Sequence, residues 1–403
     1  MRSVIFLYSH PIQYFAPLSR FLAESGRFDL TVCYCSRQGL DALPDAGFGQ
    51  SVQWDVPLLD GYRSVFLPNW RSGAGTVGGF WTLLNPGIIR VLWKTPPSTL
   101  VVHGWGYCTH LLAIVFGRLL GHTVCLRAET PLSHEAMVPQ PKRWLKKWLL
   151  RLGLFPWVNR FLYIGTQNRA FYRHLGVPEN QLVFTPYCVD NARFSAQYEA
   201  LRYKKSALRA KLGIPENARM VVFSGKFISK KRPMDLLRAF HLAGVPNTFL
   251  VFVGDGAMRP DMEMYCQKNA LTTVLLTGFV NQSVIGQYYA AADVFVMCSG
   301  AGETWGLAVN EAMNFGLPVL LSDLTGCADD LCRPGINGHT FPTGDVLALA
   351  GLLRQLLTLP AEQLQALGRE SEKIVAGYSF ESVARNLLVG ACVCGAAERD
   401  CPL

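Results

Sequence analysis

Short β-branched runs bounded by turn residues alternate with longer stretches of helical periodicity along nearly the whole chain, and this alternation limits the possible folds more than any other feature. Strands that read as continuous apolar runs, separated by helices, are those of parallel sheets covered on both faces. One series comprises Val4–Tyr8, Leu30–Tyr34, Leu100–His103, Val124–Arg127, Phe161–Ile164 and Leu182–Thr185. A second comprises Met220–Ser224, Phe249–Val253, Val274–Thr277, Val294–Met297 and Val319–Leu321. Two doubly wound α/β domains follow. A chain of 403 residues is also long for one hydrophobic core.

Between the series lies NARFSAQYEALRYKKSALRAKLGIPENA, a polar and basic stretch that reads as a linker feeding a short helix. A boundary near Asp190 gives a first domain of residues 1–189 and a second of 190–377. From residue 378, YSFESVARNLLV has apolar positions at helical spacing and suits a helix packed back on the first domain. Beyond Gly390 the sequence reads as a frayed end. No internal repeat is evident. Open α/β sheets bind ligands at the carboxyl ends of their strands, so two such domains offer two half-sites.

Half the residues are hydrophobic and 17% are charged, which excludes a disordered chain. The formal charge of +9 favours phosphates, anionic lipids or nucleic acid without choosing among them. Nucleic acid ranks last, because no reading module or basic–aromatic strand pattern is present. The twelve cysteines lie scattered in apolar runs such as LTVCYC, the usage of reduced, buried thiols in a cytoplasmic protein. Cys33 with Cys35, Cys327 with Cys332 and Cys392 with Cys394 lack the four-ligand spacing of a zinc site. His10 and Pro11 end the N-terminal apolar run early, so it reads as a buried strand rather than a signal segment. The most apolar helical stretch, Leu111 to Leu120, contains Arg118 and is too short to span a bilayer.

The most informative segment is VFVMCSGAGETWGLAVNEAMNFGLPVLLSD, in which a strand leads through small residues into a helix and another strand. Glu303 at the expected helix start and Glu311 two turns on would share one side of that helix and reach one elongated ligand. Gly300 to Gly302 let backbone amides approach closely, and a helix N-terminus suits a diphosphate. Each glutamate alone also fits an ordinary helix charge; together with the glycine loop and the GLPV turn they point to a ligand site.

Two glutamates separated by seven residues in ETWGLAVNEAM, followed by GLPV, resemble the signature of the large retaining glycosyltransferase family four. The resemblance extends through FSGKFISKKRP at Phe223, VGDGAMR at Val253, LTGFV at Leu276 and PYCVDNARF at Pro186. It implies the GT-B fold, two Rossmann-like domains facing a central cleft. It further implies that Glu311 holds the donor ribose, that Glu303 contacts sugar hydroxyls, and that Lys226 and Lys231 neutralise the diphosphate. Gly225, Gly302, Thr304, Trp305 and Gly306 complete the donor side. Trp305 stands where the family usually has Phe. Lys230, Lys231 and Arg232 are adjacent, and spacing alone does not say which faces the phosphates. No Asp-x-Asp occurs in the chain, so charge compensation falls to lysine; no cofactor and no metal are expected.

The first domain is less explicit. His103 ends a strand, where the family often carries a histidine near the transferred sugar, and it reads equally as a structural core histidine. Arg127 and Glu129 follow the next strand, and His10 and Gln13 follow the first; these four are acceptor-side candidates that also fit as ordinary satisfied polar groups. Many relatives place paired glycines where this chain has SHPIQYF.

In PKRWLKKWLLRLGLFPW, Leu145, Trp148, Leu149 and Leu152 share one helical face, with Arg143, Lys147 and Arg151 opposite. Packing against the first domain is the preferred explanation. Peripheral contact of residues 142–157 with an anionic membrane is the alternative.

These readings converge on a metal-independent, retaining hexosyltransferase that moves sugar from a UDP- or GDP-sugar to a sugar or lipid-linked acceptor in cell-surface polysaccharide or glycolipid assembly. Its expected place is the cytoplasm, with the inner face of the membrane as an option. A nucleotide-sugar epimerase and a catalytically silent nucleotide-sugar-binding partner are the rival readings.

Overall fold

The computed structural model describes residues 1–40, 43–45, 47, 50–71 and 78–392. The chain forms two compact units. The first comprises Met1–Asp41, Pro57–Pro186 and Phe380–Leu403; the second comprises Ala42–Val56 and Tyr187–Ser379.

The first unit is built on β1 (Arg2–Tyr8) and β2 (Phe28–Tyr34). The chain then leaves it for β3 (Leu43–Asp45) and β4 (Gln50–Val52), a separate antiparallel pair in the second unit. It returns as β5 (Arg63–Phe66), β6 (Thr99–His103), β7 (Thr123–Arg127), β8 (Arg160–Tyr163) and β9 (Leu182–Phe184). All seven strands of this sheet are parallel, in the order β5-β2-β1-β6-β7-β8-β9. The second unit has β10 (Arg219–Ser224), β11 (Thr248–Val253), β12 (Val274–Leu276), β13 (Val294–Met297), β14 (Val319–Ser322) and β15 (Gly338–Phe341), in the order β12-β11-β10-β13-β14-β15. They too are parallel.

Leu7, Val32, Val102 and Val124 are fully buried in one sheet, and Val222, Phe252, Val296 and Leu320 in the other, because helices cover both faces. In each sheet the winding direction reverses beside the unit's own first strand, between β1 and β6 and between β10 and β13. A crevice opens at the carboxyl ends of the strands at such a reversal.

Several features depart from the sequence expectations. β5 and β15 were not foreseen: β5 is a half-buried edge strand with polar residues, and β15 begins on a glycine. The latter is obligatory, since a Cβ on Gly338 would stand 1.8 Å from the Val319 carbonyl oxygen. The first domain is not continuous over residues 1–189, because residues 42–56 fold with the second unit.

The presumed linker is the helices Asn191–Leu201 and Lys205–Lys211, the first capped by Asp190, which accepts from Arg193 N at 3.0 Å. Its basic character is partly interior. Arg209 is buried and donates to Asp293 Oδ2 at 2.5 Å and to the carbonyls of Ala291, Glu216 and Ala218. The terminal helix runs Phe380–Cys392, past Gly390, within the first unit, where Phe380 lies 5.8 Å from Phe21. Residues 393–403 of the expected frayed end lie outside the described residues.

The amphipathic segment forms the helix Gln140–Trp148 and a π-helical turn Leu149–Leu154. The preference for packing its apolar stripe against the first domain is overturned: Trp144, Leu145, Trp148, Leu149 and Leu152 are 45–63% exposed. The inward attachments are instead Lys146, whose Nζ lies 2.6 Å from the buried Glu135 carboxylate, and the buried Leu150 and Leu154. Among the described residues no helix is long and apolar enough to cross a membrane.

Candidate active site

In the second unit, β10 ends at Ser224 and the chain turns through Gly225 (φ 152°). The turn after β11 touches it so closely that a Cβ on Gly254 (φ 146°) would stand 1.9 Å from the Gly225 carbonyl oxygen. This contact sets the path of the basic loop. Lys226 lies at its start, and Ser229–Lys231 form a single 3₁₀ turn. Arg232 then adopts a left-handed conformation (φ 50°) before the helix Pro233–Ala243.

The three adjacent cations have different partners. Lys231 Nζ is ion-paired with Glu303 Oε2, Lys230 Nζ donates to the Gly302 carbonyl at 3.2 Å, and Arg232 Nε donates to Asp235 Oδ2 at 2.5 Å.

Glu303 does not sit on the helix. Its amide donates to the Gly300 carbonyl at 3.2 Å in a turn that continues through Gly302 (φ 94°), and the helix Leu307–Met313 starts only after Gly306 (φ 105°). A helix cannot pass through left-handed Gly306, so the expectation of two glutamates on one helical face is corrected. They are fixed by different elements. Glu303, 8% exposed, also accepts from Ser299 Oγ at 3.3 Å. Burial opposes its ionisation, but Lys231 and then Lys230, with the hydrogen bonds from Lys231 and Ser299, outweigh that cost and hold the carboxyl below its ordinary range.

Glu311, 1% exposed, is gripped from two sides: Gln282 Nε2 donates to Oε1 at 3.1 Å and Tyr289 OH to Oε2 at 2.8 Å. Thr304 lies in the turn beside Glu303. Trp305, expected on the donor side, is a core residue at 2% exposure; its indole donates to Asn310 Oδ1 at 2.8 Å and stacks near Tyr187. Its indole is packed in the core with its N–H committed to Asn310, while its backbone belongs to the loop.

In the first unit a cavity of about 360 Å³ opens at the reversal beside β1, with His103, Trp105, Arg127, Glu129 and Lys146 in its wall. The His103 ring lies 4.0 Å from that of Tyr8 and 5.3 Å from that of Phe15. Its Nε2 has no hydrogen-bond partner among the described residues. Burial, followed by the nearby Arg127 and His110, pushes its pKa well below the usual value, so the imidazole is neutral near pH 7. Arg127 is buried, donates to the Pro186 carbonyl at 3.3 Å and lies 5.5 Å over the Phe15 ring.

His103, Arg127 and Glu129 are thus brought together, whereas His10 and Gln13 lie outside this wall; Ser9 and Ile12 stand there instead. His10 Nδ1 lies 2.9 Å from Ser9 Oγ, and burial lowers its pKa to about 4. Gln13 is in the turn before the helix Phe15–Glu24.

Sequence reasoning missed Lys146, Gln282 and Tyr289. Lys146 stands beside Lys147 in the amphipathic segment, with nothing local to single it out. Gln282 lies 29 residues from Glu311, with no local pattern to connect them. Among the described residues no group of three or more His, Cys, Asp or Glu could hold a metal ion.

Residues 204–374 match the family model described as glycosyl transferases group 1. A phosphatidyl-myo-inositol mannosyltransferase of Mycobacterium leprae is 31% identical over 63% of this chain and 71% of its own length. The sulfoquinovosyl transferase of Arabidopsis thaliana is 29% identical over 52% of this chain, a match that spans only 39% of that protein. Among solved structures, Anabaena HepE in complex with UDP and glucose aligns over 98% of this chain and 100% of its own, with a TM-score of 0.71 at 15% identity.

Proposed function

The chain belongs to the glycosyl transferases group 1 family, with the GT-B fold, and from that premise we propose that it transfers a hexosyl-type sugar from a UDP- or GDP-sugar to an acceptor hydroxyl with retention of configuration. The observation that carries this reading is the ion pair of half-buried Lys231 with buried Glu303 at the β10/β13 reversal, beside the turn of Gly300–Gly302. A departing nucleoside diphosphate needs positive charge where its own charge develops. Lys231, preoriented by Glu303, with Lys226 and Lys230 on the same loop, supplies it without a dedicated metal. The ionised Glu303 accepts hydrogen bonds from sugar hydroxyls and orients the ring, while Glu311 receives the ribose.

Retention then follows from departure of the diphosphate on the face attacked by the acceptor, and no carboxylate is assigned as a covalent nucleophile. The cavity beside β1 takes the acceptor, with neutral His103 in its wall. The exposed Trp144 to Leu152 stripe, flanked by Arg143, Lys147 and Arg151, supports peripheral contact with an anionic membrane and a lipid-linked acceptor. One relative is named for a phosphatidyl-myo-inositol acceptor.

The test is a thermal-shift series with UDP, GDP, ADP and their sugars, with and without EDTA, since a ligand of the native state raises the melting temperature. A chelator-insensitive rise with one nucleotide and its sugar is expected. No rise with any of them would overturn the donor-site assignment.

A further inference from the structure

Gln282 is one of two residues whose side chains tie the Glu311 carboxylate to the rest of the second unit, the other being Tyr289. It is buried, and both ends of its amide are engaged: Nε2 donates to Glu311 Oε1 at 3.1 Å and Oε1 accepts from Arg193 Nη2 at 2.8 Å. These two bonds fix which way the amide faces.

Its chain neighbours are pinned by a short strap from far away in sequence. The Asn281 side chain accepts from Asp55 N at 3.3 Å and from Gln282 N at 3.0 Å, and donates to the Gln53 carbonyl at 2.8 Å. Ser283 donates to Asp55 Oδ2 through its amide at 3.1 Å and through its hydroxyl. Trp54 meets Phe279 edge-on at 6.0 Å. Residues on either side of Gln282 are therefore held by Gln53, Trp54 and Asp55, the part of the chain that leaves the first sheet to fold with the second unit.

We propose that Gln282 is a positioning residue for donor recognition: clamped by Arg193 and by the Gln53–Asp55 strap, it sets the Glu311 carboxylate in the orientation that receives the ribose hydroxyls. The inference rests on the reading of Glu311 as the ribose acceptor. Gln282 and Tyr289 each take one oxygen, which fixes the plane of the carboxylate. A neutral amide does this without cancelling the charge, whereas lysine or arginine at the same place would neutralise it. The strap fixes the backbone on both sides of Gln282, and that side chain connects it to Glu311.

The experiment is calorimetric titration of the full chain with UDP and GDP and with their 2′,3′-dideoxy forms. The natural chain should prefer the ribose form by about tenfold or more, the effect of a charge-assisted hydrogen bond pair. Gln282→Leu should lose most of that preference while keeping its affinity for the dideoxy nucleotide. Asp55→Ala, a change at an exposed side chain that avoids disturbing the core, should lose a smaller part of it.

A purely structural role would weaken both forms alike in both variants, and that result overturns the proposal, as does an undiminished ribose preference. If the natural chain binds a nucleotide without regard to its ribose hydroxyls, the reading of Glu311 fails and this inference fails with it.

Discussion

The two units share a strand order and differ in what they do with charge. The first contains 20 Lys and Arg against 10 Asp and Glu; the second contains 18 against 19, so the excess positive charge of the chain belongs to the first. Its surface also displays Trp70, Trp81, Trp93, Trp144 and Trp148, all exposed, whereas Trp305 of the second unit is core. In the second unit key cations are committed inward, Lys231 to Glu303 and Arg209 to Asp293. One scaffold thus presents charge and aromatic rings outward, and the other uses ion pairs to build an interior site.

The sharpest way to break this contrast is at the interior site. Glu303→Gln and Lys231→Met should each lower turnover by about 10²–10³-fold, the scale of losing one preorganised charge or donor at the transition state. Donor affinity should change far less in Glu303→Gln, because orientation of the ring matters most during transfer. Steady-state kinetics beside nucleotide titration separate the two effects, and comparable turnover in Glu303→Gln would end its assignment. The structural ion pair of the same unit gives the next effect. Asp293→Ala leaves Arg209 buried without its carboxylate and removes the acceptor of Met220 N, at a cost of about 3–5 kcal/mol in denaturant unfolding. A loss below about 1 kcal/mol would place Arg209 with ordinary surface cations.

Legibility in the sequence follows the same contrast. Continuous apolar strands announced both sheets, and strand-end residues such as His103 and Arg127 were readable because only the end of a buried strand can face a crevice. The position of Glu303 was misjudged because the left-handed Gly306 looks like any other glycine in the text of the chain. An aromatic residue at position 305 reads as a ring packed at the start of the helix, and the indole is indeed in the core. The linker was misread because Arg209 gains its meaning only from Asp293, 84 residues away. Periodicity found the stripe of Leu145, Trp148, Leu149 and Leu152, yet amphipathicity tells only that two faces differ, not which one is covered. That face was settled by Lys146 and Glu135, a pair outside the pattern.

The outward charge predicts a smaller and separable effect. Reversing Arg143, Lys147 and Arg151 to Glu should weaken co-sedimentation with phosphatidylglycerol vesicles by at least about 3 kcal/mol, near 100-fold, given about 1 kcal/mol for each basic residue at an anionic surface. Reversing the exposed Lys268 of the second unit should change nothing. Unchanged vesicle binding in the triple variant would remove the membrane role from this stripe. Trp144→Ser with Trp148→Ser tests the apolar part at high salt, where the electrostatic part is screened.

Acid should sharpen the comparison by affecting the first unit earlier. His10 and His110 have pKa values lowered by burial to about 4, from an ordinary 6.5. Their folded forms refuse a proton that the unfolded chain accepts, so they leave stability flat above pH 6.5, lower it progressively below, and add no further loss under about pH 4. At pH 5 each costs about 1–2 kcal/mol. Glu303 has the opposite shift: its lowered pKa gives stability that is present above the ordinary carboxylate range and lost only as pH falls through the folded value. Unfolding followed between pH 7 and 5 should therefore weaken the first unit while the Lys231–Glu303 pair holds. His110→Asn should remove only part of that slope in the first unit, because His10 and His103, both with lowered pKa, still contribute, and should leave nucleotide affinity unchanged. If the slope persists undiminished in His110→Asn and in the matching His10 variant, the early acid loss arises from other groups.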